Sequence, residues 1–563
     1  MNCKKTDLAI TSNPMKSTWQ TACWLTRNHL RWRFASGNLR TAAVSRCSAS
    51  LRLALLTALL LAPLAALHSA EARKPNILVI LADDLGYGDV HAYNPTRGKI
   101  PTPHLDKLAS QGMRFTDGHS SSGVCSPSRY TLLTGRYHWR TRLQAGIVGV
   151  FGEPLIAADR LTVAGLAKQH GYRTAAIGKW HLGWDWPITE GDRPLFRSYK
   201  EADKSSPAAH RETWRKVFEQ KIAGGPTTRG FDTYFGTDVP NWPPYCFIEN
   251  DRTIGIPSVP LPAEFFRNHL ASTPGPALPD WKLEAILPAL TERACAFITE
   301  ATRKPEPWML YLPLTTPHTP LAVNAEWKGK SGLNNAAADL IMETDAAVGK
   351  VLAALEASGA AKDTLVLFTS DNGFASYVGV KDLEKQGHFP SGPLRDYKTS
   401  VYEGGHRVAF MARWPAQVSA GTTCDQLVHQ ADILATVADI LQTKLPANAA
   451  EDSFSFLPLL KGSAAPTRTQ AISCASAGTP GLRLGNWKYI ATQPAQLYDL
   501  ANDVGETKNL AAEQPDRVAE MKAMLEKVIT DGRSTPGEPQ KNDVTVVRHP
   551  KAGAPKAKAK KTK

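Results

Sequence analysis

Pro75-Asn76-Ile77-Leu78-Val79-Ile80-Leu81-Ala82, followed at once by Asp83-Asp84, decides the fold. The run is continuously apolar and rich in β-branched residues, which is the pattern of a strand buried on both faces in a parallel sheet. Its two acids then fall at the C-terminal edge, where such sheets bind ligands. Thr364 to Thr369 (TLVLFT) repeats the pattern and ends at Ser370-Asp371-Asn372.

Around these two runs, helical and strand patterns alternate. Helices are predicted at His104–Gln111, Ser126–Thr134, Leu161–His170, Thr291–Thr302, Asn335–Ser358 and Asp425–Gln442, and strands at Tyr172–Ile177, Trp308–Leu314 and Val408–Arg413. The class is α/β: a large mixed, mostly parallel sheet with helices on both faces, over residues 73–445. A smaller C-terminal α+β subdomain is expected over 446–532, with Leu482–Ile490, Leu497–Leu500 and a helix from Gln514 to Ile529. Beyond Gly532 the composition turns to Pro, Lys and Ala without apolar periodicity, so 533–563 is expected to be a basic disordered tail.

With 563 residues, 42% hydrophobic content and 14 Trp, the chain suits a packed globular enzyme. The formal charge of +14 sits at the ends. Residues 1–72 hold nine basic and two acidic side chains and 541–563 hold eight and one, which leaves 73–540 with no net charge. A nucleic-acid partner is therefore not expected. Arg46 and Arg52 precede an apolar run from Leu53 to Leu67, and Ala70-Glu71-Ala72 offers a cleavage site, so 1–72 reads as a leader. The mature protein is expected to be exported, periplasmic or secreted, and to meet a membrane only during export. Past the leader five cysteines remain, an odd number that leaves at least one thiol unpaired or converted.

The chemistry centres on Gly123-Val124-Cys125-Ser126-Pro127-Ser128-Arg129-Tyr130-Thr131-Leu132-Leu133-Thr134-Gly135. Ser126 and Pro127 start a helix and Gly135 ends it, which puts Cys125 at a helix N-terminus, a natural anion site. Arg129 lies one turn on and reaches back toward residue 125. Asp83, Asp84, Asp371 and Asn372 are oxygen donors at strand ends, suited to a hard cation such as Ca²⁺ rather than zinc. Lys179 and His181, two apart at the end of a strand, point one way.

C-x-P-S-R followed by an apolar pair and T-G resembles the signature of the type I, formylglycine-dependent sulfatases. Gly171 to His181 resembles that family's second signature, and Leu497 to Leu510 its C-terminal subdomain. The likeness runs from about Lys74 to Leu510 and is nearest to arylsulfatase A and other arylsulfatases and to the N-acetylgalactosamine-6-sulfatase type. It implies an alkaline-phosphatase-like fold and hydrolysis of sulfate esters, either aryl sulfates or sulfated glycans. It implies that Cys125 is oxidised by a maturation enzyme to formylglycine, whose hydrate is the nucleophile. Asp83, Asp84, Asp371, Asn372 and the converted Cys125 would hold one Ca²⁺. Arg129 and Lys179 would act on the nucleophile and the sulfate, and His181 on one hydroxyl of the hydrate. His318, in Thr316-Pro317-His318-Thr319-Pro320, and Lys398, ahead of Tyr402-Glu403-Gly404-Gly405-His406-Arg407, would bind substrate and protonate the leaving oxygen. Ala409 departs from the family's usual proline and touches only local backbone geometry. Two other readings stay open: a phosphodiesterase or phosphonate hydrolase of the same superfold, and an unconverted, inactive protein that binds sulfated glycans.

Trp184 to Arg229 reads as an insertion over the active face, and Pro240 to Phe247 as an aromatic loop beyond it. Trp180, Trp184, Trp186, Trp242 and Tyr245 are candidates for stacking on a substrate ring.

Overall fold

Residues 74–197 and 208–547 are described by the computed structural model, so the leader and the last part of the tail lie outside the described residues. The strand Asn76–Asp83 sits at the centre, paired in parallel with Trp308–Pro317 on one side and Thr364–Ser370 on the other. Ile77, Val79 and Leu81 face one apolar core and Leu78, Ile80 and Ala82 face another, all six with no exposed surface. Each of the Ile, Leu and Val side chains contributes about 1.5–3 kcal/mol by burial, which is why a short run specifies this strand so firmly.

Among the described residues the sheet has ten strands. Its order is Thr422–Cys424, Met113–Phe115, Phe410–Arg413, Thr364–Ser370, Asn76–Asp83, Trp308–Pro317, Arg173–Lys179, Thr233–Thr237, Ile248–Glu249 and Arg252–Thr253. The five from Thr364–Ser370 to Thr233–Thr237 are mutually parallel, and antiparallel pairs flank them. Helices Pro103–Gln111, Ile286–Thr302 and Ala336–Ala357 cover one face. Cys125–Thr134, Val163–Gln169 and Asp432–Ile440 cover the other. The helix expected from Asp425 is shorter, Asp432–Ile440, because Thr422–Cys424 and Val428–His429 pair as strands just before it.

In the C-terminal part, Gln470–Cys474, Pro480–Leu484, Trp487–Ile490 and Gln496–Asp499 form an antiparallel sheet on which helix Pro515–Thr530 packs. Tyr137 and Trp139, from the segment after helix Cys125–Thr134, share its apolar core with Leu482, Leu497, Met521 and Leu525. The expectation of disorder from 533 onward is corrected over 533–547. Asp543 pairs with Arg136 at 3.0 Å, Asn542 accepts from Arg140 at 2.9 Å, and Val546 is buried in that same core. Single polar anchors carry no periodicity, so composition alone misses them.

Cys125, Cys246, Cys295, Cys424 and Cys474 are all free thiols. Among the described residues no helix is long and apolar enough to cross a membrane.

Candidate active site

Asp83 ends the central strand, and the register against the neighbouring strand slips between Leu81 and Asp83. Successive strand residues normally point to opposite faces. Asp84 adopts φ +65°, and this left-handed turn brings both carboxylates to one site. His181 (φ +53°) and Thr399 (φ +80°) are turned the same way beside Lys179 and Lys398. Such conformations cost about 1–3 kcal/mol each and gather at functional sites.

Cys125 is the first residue of helix Cys125–Thr134, every residue of which is buried. The helix ends at Gly135, whose φ of +64° no other residue adopts as cheaply. The Cys125 thiol lies 3.7 Å from Asp83 Oδ1. Burial pushes the thiol up to about 12 against the pull of Lys179 and Lys398, so as a thiol it stays protonated at neutral pH. In a converted residue, the place of Sγ would be taken by a hydroxyl oxygen.

Three carboxylates and three cations interlock here. Lys179 Nζ donates to Asp83 at 2.6 Å, and Lys398 Nζ lies 2.6 and 2.7 Å from the two oxygens of Asp84. Arg129 donates through Nε and Nη2 to Asp371 at 3.1 and 2.8 Å, through Nη1 to the Lys179 carbonyl at 3.1 Å, and lies 3.5 Å from Asp83. Burial works against the Lys398 ammonium, yet Asp84 holds its pKa well above the usual lysine value. For Arg129, Asp371 and Asp83 likewise outweigh burial. The formal charges of the six groups cancel, so a dication would make the site positive and ready for an anionic ester.

The residues fit a hard cation. Ligand atoms of Asp83, Asp84, Cys125 and His318 lie within 4.8 Å of one another. Asn372 donates to Asp84 Oδ1 at 2.8 Å while its own Oδ1 is buried with no partner, an orphan oxygen at the same place. Asp371 accepts from the Asp84 N–H at Oδ1 and from Arg129 at Oδ2. Oxygen donors dominate the set, as calcium prefers.

Carbonyl partners fix the tautomers of the two histidines. His181 Nε2 lies 3.1 Å from the Val148 carbonyl, so it carries the proton, and Nδ1 is buried without a partner. His318 Nδ1 lies 2.6 Å from the Thr319 carbonyl, which leaves a lone pair on Nε2, 3.8 Å from Asp84. Burial, followed by Lys179, depresses both imidazoles well below the usual histidine range.

A cavity of about 270 Å³ opens onto Cys125, His181, His318 and Lys398. Of the five aromatic candidates only Trp242 lines it. Trp180, Trp184, Trp186 and Tyr245 are buried. Trp184 and Trp186 pack with Phe151, Phe196 and Phe218 in one apolar core, so the aromatic residues at the start of the stretch from Trp184 serve packing. Sequence reasoning missed Asn241, His269, Ser272 and Tyr377, which line the cavity from three separate loops. The one available signal was the aromatic loop Pro240–Phe247, which carries Asn241.

With its charges balanced and a helix N-terminus opening onto it, the site suits an anionic ester. The family model described as Sulfatase matches residues 75–443, and the chain belongs to that family, the sulfuric ester hydrolases. It is 32% identical over 498 residues to N-acetylgalactosamine-6-O-sulfatase of Bacteroides thetaiotaomicron, covering 82% of this chain and 94% of the relative. Human arylsulfatase A is 30% identical over 534 residues, covering 85% and 94%. A solved structure from work on glycosaminoglycan metabolism by Bacteroides thetaiotaomicron is 30% identical, with a TM-score of 0.69 over 81% of this chain and 99% of that one. Another, in complex with a neocarrahexaose, is 25% identical with a TM-score of 0.63 over 83% and 95%. The large mixed sheet with a separate C-terminal antiparallel sheet is thus the fold of the sulfatases, of alkaline-phosphatase-like type.

Proposed function

We propose that the chain hydrolyses sulfate esters of carbohydrates through residue 125, oxidised by a maturation enzyme from cysteine to formylglycine and hydrated to a gem-diol. The observation that carries this reading is Cys125 itself, buried at a helix N-terminus amid three carboxylates and three cations. Relatives named for a sulfated sugar, and a similar structure holding an oligosaccharide, favour carbohydrate over aryl sulfate.

One hydroxyl of the diol attacks sulfur and passes its proton to the Asp83 carboxylate, whose Oδ1 lies 3.7 Å from the Cys125 sulfur, as the bond from sulfur to the ester oxygen breaks. Lys398, an ammonium next to Asp84, gives that oxygen its proton. Neutral His318 carries its proton on Nδ1, away from the cavity, so of the two candidate donors Lys398 is the one already charged. The sulfated residue then collapses. Its second hydroxyl gives its proton to the free Nδ1 of His181, the carbon–oxygen bond to sulfate breaks, and the aldehyde re-forms. Arg129 and the helix N-terminus hold the charge of the nucleophile and the sulfate oxygens. A calcium ion held by Asp83, Asp84, Asp371, Asn372 and residue 125 would add positive charge that polarises the nucleophilic hydroxyl. The apolar run Leu53–Leu67 with Ala70-Glu71-Ala72 supports export, periplasmic or secreted.

The deciding experiment joins the mass of the peptide containing residue 125 to turnover of matched sulfate and phosphate esters. An aldehyde or its hydrate, with sulfate esters strongly preferred, is the expected result. An unmodified thiol, or preference for phosphate, would sink the reading. Cys125→Ser should stop at a sulfated enzyme, since a single hydroxyl cannot collapse to an aldehyde.

A further inference from the structure

Beyond the ionic floor, the cavity has a second wall that none of these steps uses. Asn241 lines it and is 4% exposed. Its Nδ2 meets the Ser272 hydroxyl at 2.6 Å and the Thr319 hydroxyl at 3.0 Å, while Oδ1 is buried with no partner. Turning the amide over does not change the count, because hydroxyls both donate and accept. One end is satisfied and the other is left over. A buried polar atom without a partner costs about 1–3 kcal/mol, and this one belongs to a side chain that lines the cavity.

The wall is braced. The Tyr245 hydroxyl lies 2.8 and 2.6 Å from the carbonyls of Asn241 and Thr273, and Ser272 N–H donates to Asn241 O at 2.9 Å. Thr319, which follows His318 directly, ties the amide to the His318 imidazole. Trp242 stands edge-on to His181 at 5.3 Å between centroids, and Tyr377, 51% exposed, forms the rim with its ring tilted against His269 at 5.9 Å.

We propose that Asn241, flanked by Trp242 and Tyr377, is the specificity-determining site for the leaving alcohol, and that it takes one uncharged sugar ring, a hexose or N-acetylhexosamine. The proposal rests on the sulfatase reading above. Ring count follows from size: about 270 Å³ lies at the small end for ligand pockets and suits one ring rather than a threaded chain. Neutrality follows from the lining. Lys398 is the one lysine or arginine on it among the described residues, and Asp84 already holds it. A uronate carboxylate would find no lysine or arginine on the lining free of a carboxylate partner, whereas hydroxyl and amide groups would meet Asn241, and the sugar's C–H face the two aromatic rings.

The test measures kcat/KM on 4-nitrophenyl sulfate, on monosulfated hexoses and N-acetylhexosamines, and on a monosulfated uronate, with conversion of residue 125 checked by mass in every preparation. Wild type should turn over the neutral sugars and disfavour the uronate. Asn241→Ala should lose about tenfold more on the sugars than on the aryl ester, the worth of about one hydrogen bond. Tyr377→Ala, at an exposed side chain that does not hold the fold, should show the same bias. Equal losses on both substrate types in both variants, equal turnover of the uronate, or aryl turnover with no sugar turnover would each overturn the proposal. Converted wild type inert to every sulfate ester would instead overturn the sulfatase reading, and this one with it.

Discussion

Lys398 is the residue whose chemistry separates the proposed steps most cleanly. A proton is needed in proportion to how poor the leaving group is, so Lys398→Ala should lose about 10²-fold or more on alkyl and sugar sulfates and far less on 4-nitrophenyl sulfate. A uniform loss across leaving groups would assign Lys398 to sulfate binding alone. Asp238 gives a test by pH. It accepts from His181 N–H and Trp184 Nε1, both at 3.2 Å, and burial raises it to about 6, with Lys179 the opposing cation within reach. Folded Asp238 therefore keeps its proton between about pH 4 and 6, where the unfolded carboxyl has lost it. Its contribution to stability falls as pH rises through that window and stays low above it. Asp238→Asn should raise the melting temperature at pH 8, by an amount equivalent to about 1–3 kcal/mol, and give no gain at pH 4. A gain of equal size at both pH values would contradict the assignment.

At the scale of elements, the strand bearing Lys179 is held by close backbone contacts. A Cβ on Gly178, at φ +138°, would lie 1.8 Å from the Pro313 carbonyl, and one on Gly236 would lie 1.8 Å from the Gly178 carbonyl. Neither backbone neighbour can yield without parting parallel strands, so Gly178→Ala should give insoluble or inactive protein, read by expression and circular dichroism. Helix ends follow simpler rules. Asn335 caps Ala336–Ala357 by accepting from Ala337 and Ala338, and Asn335→Ala should cost about 1 kcal/mol in denaturant melts. Elements of this kind were legible in the sequence because each is a local run: the apolar strands ending in acids, Cys125 ahead of its helix, Lys179 two before His181. The substrate wall was not legible. Asn241, Ser272, Thr319 and Tyr377 come from loops with no shared period, and only tertiary folding joins them. The aromatic loops misled in the opposite sense, because packing and stacking use the same side chains.

At the scale of the whole molecule, a buried ionic knot joins the C-terminal sheet to the large-sheet part among the described residues. Lys488, on the C-terminal sheet, pairs with Glu403 at 2.9 Å and Glu506 at 2.8 Å, and Arg483 pairs with Asp117 at 3.1 Å. Backbone bonds run in parallel with it, from Gly123 N–H to the Cys474 carbonyl and from Thr399 N–H to the Gly123 carbonyl. The C-terminal sheet thereby holds both the loop before Cys125 and the loop after Lys398. Lys488→Met would leave buried Glu506 without its cation, while Glu403 keeps Arg407 at 3.3 Å and Arg483 at 3.6 Å, and should cost about 3–5 kcal/mol, seen as a large fall in melting temperature. If residue 125 is converted as proposed, its depth, 2% exposed at the start of a fully buried helix, would set a clock on maturation. The oxidising enzyme would have to reach the thiol before folding buries it, so conversion and folding would compete for the same chain. Protein that folded first would be lost to activity for as long as it stayed folded, and the specific activity of a preparation would then record who won that race rather than how good the catalyst is.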